Sequence, residues 1–237
     1  MELKSEVVPV ATLDAVLVRE MYGLFETYYD AVSELLFRAD LSDKDEVVLL
    51  RKGAVLKGFS TMRWNPAGLA LAEGDILFSG DTIIAKDAWG SQSLVKAFCR
   101  RAGQWSRTRG KPLYWLLISK GHRTYLYLPL FGRRFYPNPA GTCEDLRKIA
   151  DDASQQVFGS AFDPTSGLVR FTKPRGQLKP DLAADTKARS GNRYVEFFLE
   201  RNPEFATGVE LVGLMELSAA NLKSVARSTF IEGYHSV

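Results

Sequence analysis

Asp75-Ile76-Leu77-Phe78-Ser79-Gly80-Asp81-Thr82-Ile83-Ile84-Ala85 is an apolar run that breaks at Lys86-Asp87-Ala88-Trp89-Gly90-Ser91 and resumes as a helix-like pattern to Arg109. A second apolar run follows at once, Pro112-Leu113-Tyr114-Trp115-Leu116-Leu117-Ile118, as expected of a strand buried on both faces. The unit reads strand, glycine turn, helix, strand. In such a unit the first helical amides face a ligand, and their free N–H groups and the helix dipole suit an anion.

Upstream, Glu6–Val10 reads as a short strand, and Asp14 is placed to cap a helix from Ala15 to Tyr28. Leu17, Met21, Leu24, Phe25 and Tyr28 form its apolar face. A second helical pattern covers Ala31 to Phe37. The period then changes, and Glu46–Arg51, a Lys52-Gly53 turn and Val55–Trp64 read as an antiparallel hairpin. The loop Asn65 to Glu73 leads into the opening strand. Downstream, Lys120-Gly121-His122-Arg123-Thr124 precedes a helix through Tyr125, Tyr127 and Leu130. A capped helix is expected from Thr142 or Cys143 to Phe158, and Gly159 to Asn192 reads as a long loop or flap. Tyr194 to Glu200 is helical, and the strand Val209–Leu217 precedes a short C-terminal helix.

With 237 residues, 46% hydrophobic and 25% charged, the chain is of ordinary globular composition and is expected to form a single domain over 1–237. A net charge of +3 is too small to argue for nucleic acid, and no helix-turn-helix, zinc or RNA-stacking motif accompanies it. Cys99 and Cys143 make neither a disulfide framework nor a metal set, which favours a reducing, cytoplasmic setting. No signal-like apolar region follows the charged start, and no apolar run reaches the ~18 residues needed to span a bilayer. A soluble or at most membrane-peripheral protein is expected.

The order of these elements resembles the GNAT superfamily of N-acyltransferases over roughly residues 5–137, with Glu46–Trp64 as the second and third strands, Asp75–Ala85 as the fourth and Ser91–Arg109 as the cofactor helix. The resemblance implies an α/β (α+β) fold: a mixed, mostly antiparallel central sheet flanked by helices, with splayed fourth and fifth strands and a C-terminal extension. It also implies that the pantetheine arm of an acyl thioester lies in the gap, with Ile83, Ile84, Gly90, Ser91, Gln92 and Ser93 binding the donor. The turn departs from the family pattern. In Asp87-Ala88-Trp89-Gly90-Ser91-Gln92 only Gly90 matches; a carboxylate at Asp87 would repel a pyrophosphate, and Gln92 crowds a position normally kept small. An acyl carrier protein presents the same arm on a single phosphate, so acyl-CoA and acyl carrier protein both stay open as donors.

Acylating an amine requires a base, a donor for the developing oxyanion and a proton for the leaving thiolate. Asp81 stands on the fourth strand, where the family often carries its carboxylate base, and alternation would put Ser79, Asp81 and Ile83 on one face. A structural reading of Asp81 and Thr82, as hydrogen-bonding residues at a bulge near Gly80, stands beside it. His122 follows the fifth strand, and its ordinary pKa suits a base. Tyr127, with Tyr125 near it, falls where the family carries a tyrosine for the leaving thiolate. Ser79, Trp115, Arg123 and Tyr125 are candidate substrate contacts, Arg123 for a carboxylate. Trp89, Trp105, Trp115, Phe98 and Phe131 wall an acyl tunnel or are ordinary core.

Arg170, Lys173, Arg175, Lys179, Lys187, Arg189 and Arg193 stand against only Asp181 and Asp185 in the late loop, a patch suited to solvent, an acidic carrier protein, an adenosine phosphate or an anionic membrane surface. The reading that results is transfer of an acyl group from a pantetheine thioester to the amine of a small molecule or lipid precursor by direct attack. Hydroxyl-directed transfer and a non-catalytic binding module are the alternatives.

Overall fold

The computed structural model describes residues 2–66, 74–141, 143–173, 175–188 and 191–236. Most of the expected loop Asn65–Glu73, the cap position Thr142 and Arg189 therefore lie outside the described residues. The first half of the chain runs β1 (Leu3–Pro9), α1 (Ala15–Glu26), β2 (Tyr29–Asp30), α2 (Glu34–Ser42), β3 (Glu46–Lys52), β4 (Val55–Trp64), β5 (Asp75–Ser79), β6 (Thr82–Ile84), α3 (Ser93–Arg109) and β7 (Leu113–Ser119). The second half runs α4 (His122–Tyr125), α5 (Tyr127–Phe131), α6 (Glu144–Phe158), β8 (Phe162–Asp163), β9 (Leu168–Val169), β10 (Gln177–Leu178), α7 (Pro180–Ala188), α8 (Arg193–Arg201), β11 (Glu210–Glu216) and α9 (Ser224–His235).

Local chemistry accounts for the helix ends. The Leu17 N–H donates to Asp14 Oδ1 at 2.7 Å, so the expected cap of α1 is in place. Ala31 adopts a left-handed φ of 53°, which turns the chain; α2 consequently starts at Glu34 and not at Ala31, and it buries Phe37 and Leu41. The segment Gly159–Asn192 is not a long loop. Its short strands β8 and β9 extend the sheet beyond β11, β10 pairs with β2, and α7 follows.

The main sheet runs β1-β3-β4-β5-β7-β11-β9-β8, with β6 also beside β4. Among the described residues β5 and β7 are parallel neighbours and the other pairs are antiparallel, so the fold is the mixed, mostly antiparallel sheet flanked by helices that the resemblance implies. Leu77, Leu113, Trp115, Leu117 and Met215 pack with Leu94, Phe98 and Ala102 of α3 and Phe230 of α9 on one face. On the other face Val47, Leu49, Phe59 and Ile83 meet α1 and α2, while Ile76, Phe78, Leu116 and Leu214 meet α6. A Cβ on Gly103 would strike the Phe230 carbonyl, and one on Gly233 the Arg100 backbone, so glycine at both positions sets how closely α3 and α9 approach. No described helix is long and apolar enough to cross a membrane.

The expected strand 75–85 is two strands. Pairing with β4 runs through Arg63↔Phe78 and Trp64↔Leu77, then resumes at Ser60↔Thr82 with the register displaced by one residue. That extra residue is a bulge at Gly80–Asp81, held by Thr61 N–H to Asp81 O at 3.0 Å and Asp81 N–H to Thr61 Oγ1 at 3.2 Å. The bulge inverts the alternation. Leu77 and its odd-numbered partners face α3, whereas Ile83 faces α1 and α2, so Ser79 and Ile83 do not share a face as expected. Beyond Ser79↔Leu117, β5 ends and β7 pairs with β11 alone, while β6 stays with β4. The two expected strands therefore splay apart, opening a wedge through the sheet.

Candidate active site

A cavity of about 520 Å³ fills the wedge. β6 supplies Thr82, Ile83 and Ile84, the turn supplies Trp89 to Gln92, and α3 supplies Leu94, Val95 and Phe98. Trp115, His122 to Thr124, Leu126, Tyr127, Leu130, Phe131 and the first turn of α9 complete the far wall. Tyr28, Tyr29, Leu178 and Leu182 close the side toward α1 and α7.

Backbone polarity shapes the wedge. Asp81 O accepts from Thr61 N–H and Ala85 N–H donates to Lys57 O at 2.7 Å, so by antiparallel alternation residues 81, 83 and 85 spend their backbone groups on β4. Thr82 and Ile84 therefore turn theirs into the wedge. Ile84, an expected donor contact, presents its backbone there, whereas Ile83 contributes a buried side chain and Thr82 takes the backbone role. The Ile84 carbonyl accepts from Trp89 Nε1 at 2.8 Å, the Arg123 guanidinium lies 3.9 Å from the Trp89 ring centroid, and Arg123 Nη2 donates to Asp185 Oδ2 of α7 at 2.9 Å. Turn, α4 and α7 are thus linked across the cavity mouth. Arg123 spends part of its guanidinium on this link.

At the start of α3, Gly90 has φ +87° and a Cβ there would meet nothing within 4 Å, so the turn needs glycine for its backbone and leaves open space. Gln92 caps α3 without a side-chain bond, and the first-turn amides of Leu94 and Val95 have no helical acceptor behind them. Ser91 Oγ accepts from Ser93 N–H at 3.2 Å. The Ser93 hydroxyl points elsewhere, donating to Leu3 O at 3.4 Å, which removes it from the expected donor contacts. Asp87 does not stand as an uncompensated charge: Lys57 Nζ lies 2.6 Å from its carboxylate, and that hydrogen bond holds its pKa below the usual range.

Asp81 stands at the bulge beside Thr82 and is not itself among the residues that line the cavity. Burial pushes its carboxyl up to about 6; Asp40 and Glu210 add to the rise, while Lys120 and Lys44 oppose it. Among the described residues its carboxylate takes no hydrogen bond or ion pair, whereas its charged neighbours are bound to one another. Lys44 Nζ meets Asp40 Oδ2 at 2.6 Å, Arg175 Nη1 meets Asp40 Oδ1 at 3.2 Å, and Lys120 Nζ meets Glu210 Oε1 at 3.3 Å. Burial raises the Tyr29 hydroxyl further above its ordinary value, and the charges of Asp81 and Glu210 add to that. None of Tyr29, Lys44, Lys120 or Glu210 was legible as a site residue. The signal was faint: Lys120 closes an apolar strand and Glu210 interrupts one.

The other sequence candidates divide. His122 is buried at the start of α4 and lines the cavity. Tyr127 lines it too, with its ring 6.2 Å from Trp115 and 5.6 Å from Phe131, and burial pushes its hydroxyl up to about 12. Tyr125 lies away from the cavity: it is fully buried against Phe197 and Phe198 and donates to Pro137 O at 2.9 Å. Ser79 accepts from Trp115 Nε1 at 2.7 Å and holds that indole against the cavity without lining it. Trp89, Trp115, Phe98 and Phe131 are in the wall, but Trp105 stacks on Trp64 at 4.2 Å and donates to Asp75 Oδ2 at 3.0 Å. Two of the late basic residues are tied to carboxylates: Arg170 pairs with Glu204 at 2.6 Å and Arg175 with Asp40 at 3.2 Å. Cys99 is buried in α3, and neither cysteine lines the cavity.

No protein-family model and no curated protein matches this chain. Solved structures do. An acyl-CoA N-acyltransferase from Pseudomonas aeruginosa is 16% identical, with a TM-score of 0.40, over 53% of this chain and 85% of its own. A probable N-acyltransferase from Enterococcus faecalis V583 is 11% identical, with a TM-score of 0.40, over 56% of this chain; the match spans 33% of that protein. An aminoglycoside N-acetyltransferase solved with CoA is 10% identical, with a TM-score of 0.39, over 54% of this chain and 84% of its own. These are likenesses of outline, and the functional reading rests on the site's own geometry.

Proposed function

We propose that this chain is an acyltransferase that moves an acyl group from a pantetheine thioester, carried by CoA or by an acyl carrier protein, to the amine of a small molecule or lipid precursor. The observation that carries this reading is the wedge beyond Ser79 and Leu117, where β6 keeps backbone groups unpaired by any strand beside a cavity of about 520 Å³. A pantetheine arm is a narrow chain of amides, and the edges of Thr82 and Ile84 have the polarity to bind it as a strand would. The first-turn amides of α3 suit its phosphate.

In this reading the amine nitrogen attacks the thioester carbonyl, an N–C bond forms and the C–S bond breaks. The amine proton passes to Asp81 or His122, and the departing sulfur takes its proton from Tyr127. A carboxyl titrating at about 6 is ionised at neutral pH yet remains a competent base, and a tyrosine at about 12 stays protonated until the sulfur leaves. Direct attack is favoured over a covalent enzyme intermediate because neither cysteine borders the cavity.

The test is thiol release from panels of acyl-CoA and acyl carrier protein, with and without pooled amines, followed by product mass. Amine-dependent release with an amide product supports the reading, and an ester product moves it to a hydroxyl acceptor. The bond from Trp89 to the Ile84 carbonyl, which occupies part of the donor edge, favours a second reading as a silent binding module. Tight donor binding with no release from any donor would establish that one.

A further inference from the structure

The cavity has two chemical halves. Tyr28, Tyr29, Ser60, Thr82 and His122 bring hydroxyls and an imidazole to the side of α1, β4, β6 and α4. The half between α3, α5 and α9 is mostly aliphatic and aromatic, with Val95, Phe98, Leu130, Phe131 and Val225 in its wall beside Tyr127 and Ser224. Among the described lining residues the lysine and arginine side chains are Lys223 and Arg123, and both are engaged: Lys223 Nζ donates to Pro129 O at 2.9 Å, and Arg123 is held by Asp185 and Trp89. A charged ligand group seated among these apolar side chains would lose its hydration, whereas a hydrocarbon would lose none. At the rim Leu130 is 60% exposed and Trp89 39%, apolar surface that a hydrocarbon passing the mouth would cover.

We infer that the donor's acyl group is a linear aliphatic chain well beyond acetyl in length, seated in the apolar half among Val95, Phe98, Leu130, Phe131 and Val225. The inference rests on the acyl-transfer reading and deepens it by naming the donor class. Its physical basis is that each methylene removed from water adds about 0.8 kcal/mol, or about four-fold in affinity, for as long as apolar wall remains to receive it. An acetyl donor would leave that wall uncovered.

The experiment is a chain-length series of saturated acyl-CoA thioesters from acetyl to hexadecanoyl, read by calorimetric affinity and by thiol release. Affinity is expected to climb about four-fold per methylene and then level off once the wall is covered. Val225→Leu and Val225→Phe, at a half-buried position that lines the cavity, should move the plateau to progressively shorter chains while affinity for acetyl-CoA holds. A melting curve checks that each variant folds, and the wild-type series alone remains decisive if one does not. Affinity that stays flat across the series overturns the inference, even where thiol release upholds acyl transfer. Affinity that climbs with chain length, with no thiol released from any donor, upholds the apolar seat and overturns the catalytic reading.

Discussion

The two halves of Asp75–Ala85 look alike as sequence and behave oppositely as structure. β5 has β4 on one edge and β7 on the other, and all five of its residues are buried. β6 has β4 on one edge and a cavity on the other. One additional residue at Gly80–Asp81 separates these outcomes, because it inverts the side-chain alternation and carries the chain away from β7. The sealed half anchors the sheet against α3 and α6; the open half turns backbone groups toward the cavity. On the proposed function, stability and reactivity occupy neighbouring stretches of one strand, and substitutions on either side of the bulge should separate them.

Asp81→Asn breaks the contrast most sharply. Turnover should fall by about 10²–10⁴-fold, the usual worth of a positioned base. The rise in wild-type rate as pH passes through about 6 should vanish with it, which a pH–rate profile would reveal. Stability should move the other way. A carboxyl raised in the folded state binds a proton there that the unfolded chain has already lost, so folding weakens as pH climbs from about 4 through about 6. The variant should lose that slope, about 2–3 kcal/mol in all, in denaturant titrations across pH.

Leu77→Ala probes the sealed half and should cost about 2–5 kcal/mol of stability, seen as an earlier denaturant midpoint, since Leu77 is completely buried. Tyr127→Phe sharpens the open half: loss of a hydrogen bond to the departing sulfur should remove about 1.5–3 kcal/mol of transition-state stabilisation with no comparable loss in melting temperature. Trp89→Phe is the mildest. Releasing the Ile84 carbonyl should strengthen donor binding by about 0.5–1.5 kcal/mol, read by calorimetry with acyl-CoA. Weaker binding would mean that the indole holds the donor instead of standing in for it.

Much of this contrast was legible before any coordinates. Apolar runs bounded by Lys52-Gly53 and by the Trp89–Ser91 turn located the hairpin, β7 and α3, because buried strands and capped helices leave periodic traces in composition. Asp81, His122 and Tyr127 stood out as chemistry-bearing residues beside a glycine turn. Tyr125 was misleading, since a tyrosine's polarity does not say whether its hydroxyl meets a ligand or, as here, the Pro137 carbonyl. The strap from β10 to α7 was read as loop because it carries few apolar residues; Leu178 and Leu182, four apart, are the ones that reach the cavity.

By itself the sequence determined which segments are strands and helices, where the chain turns and that a glycine opens α3, since these depend on interactions between near neighbours. Only the tertiary structure decided that Asp87 is neutralised by Lys57, that Asp81 stands among Asp40, Lys44, Lys120 and Glu210, and that α9 walls the cavity. Those partners come from segments far apart in the chain, and a carboxylate's charge state or a cavity's polarity depends on what surrounds it in space.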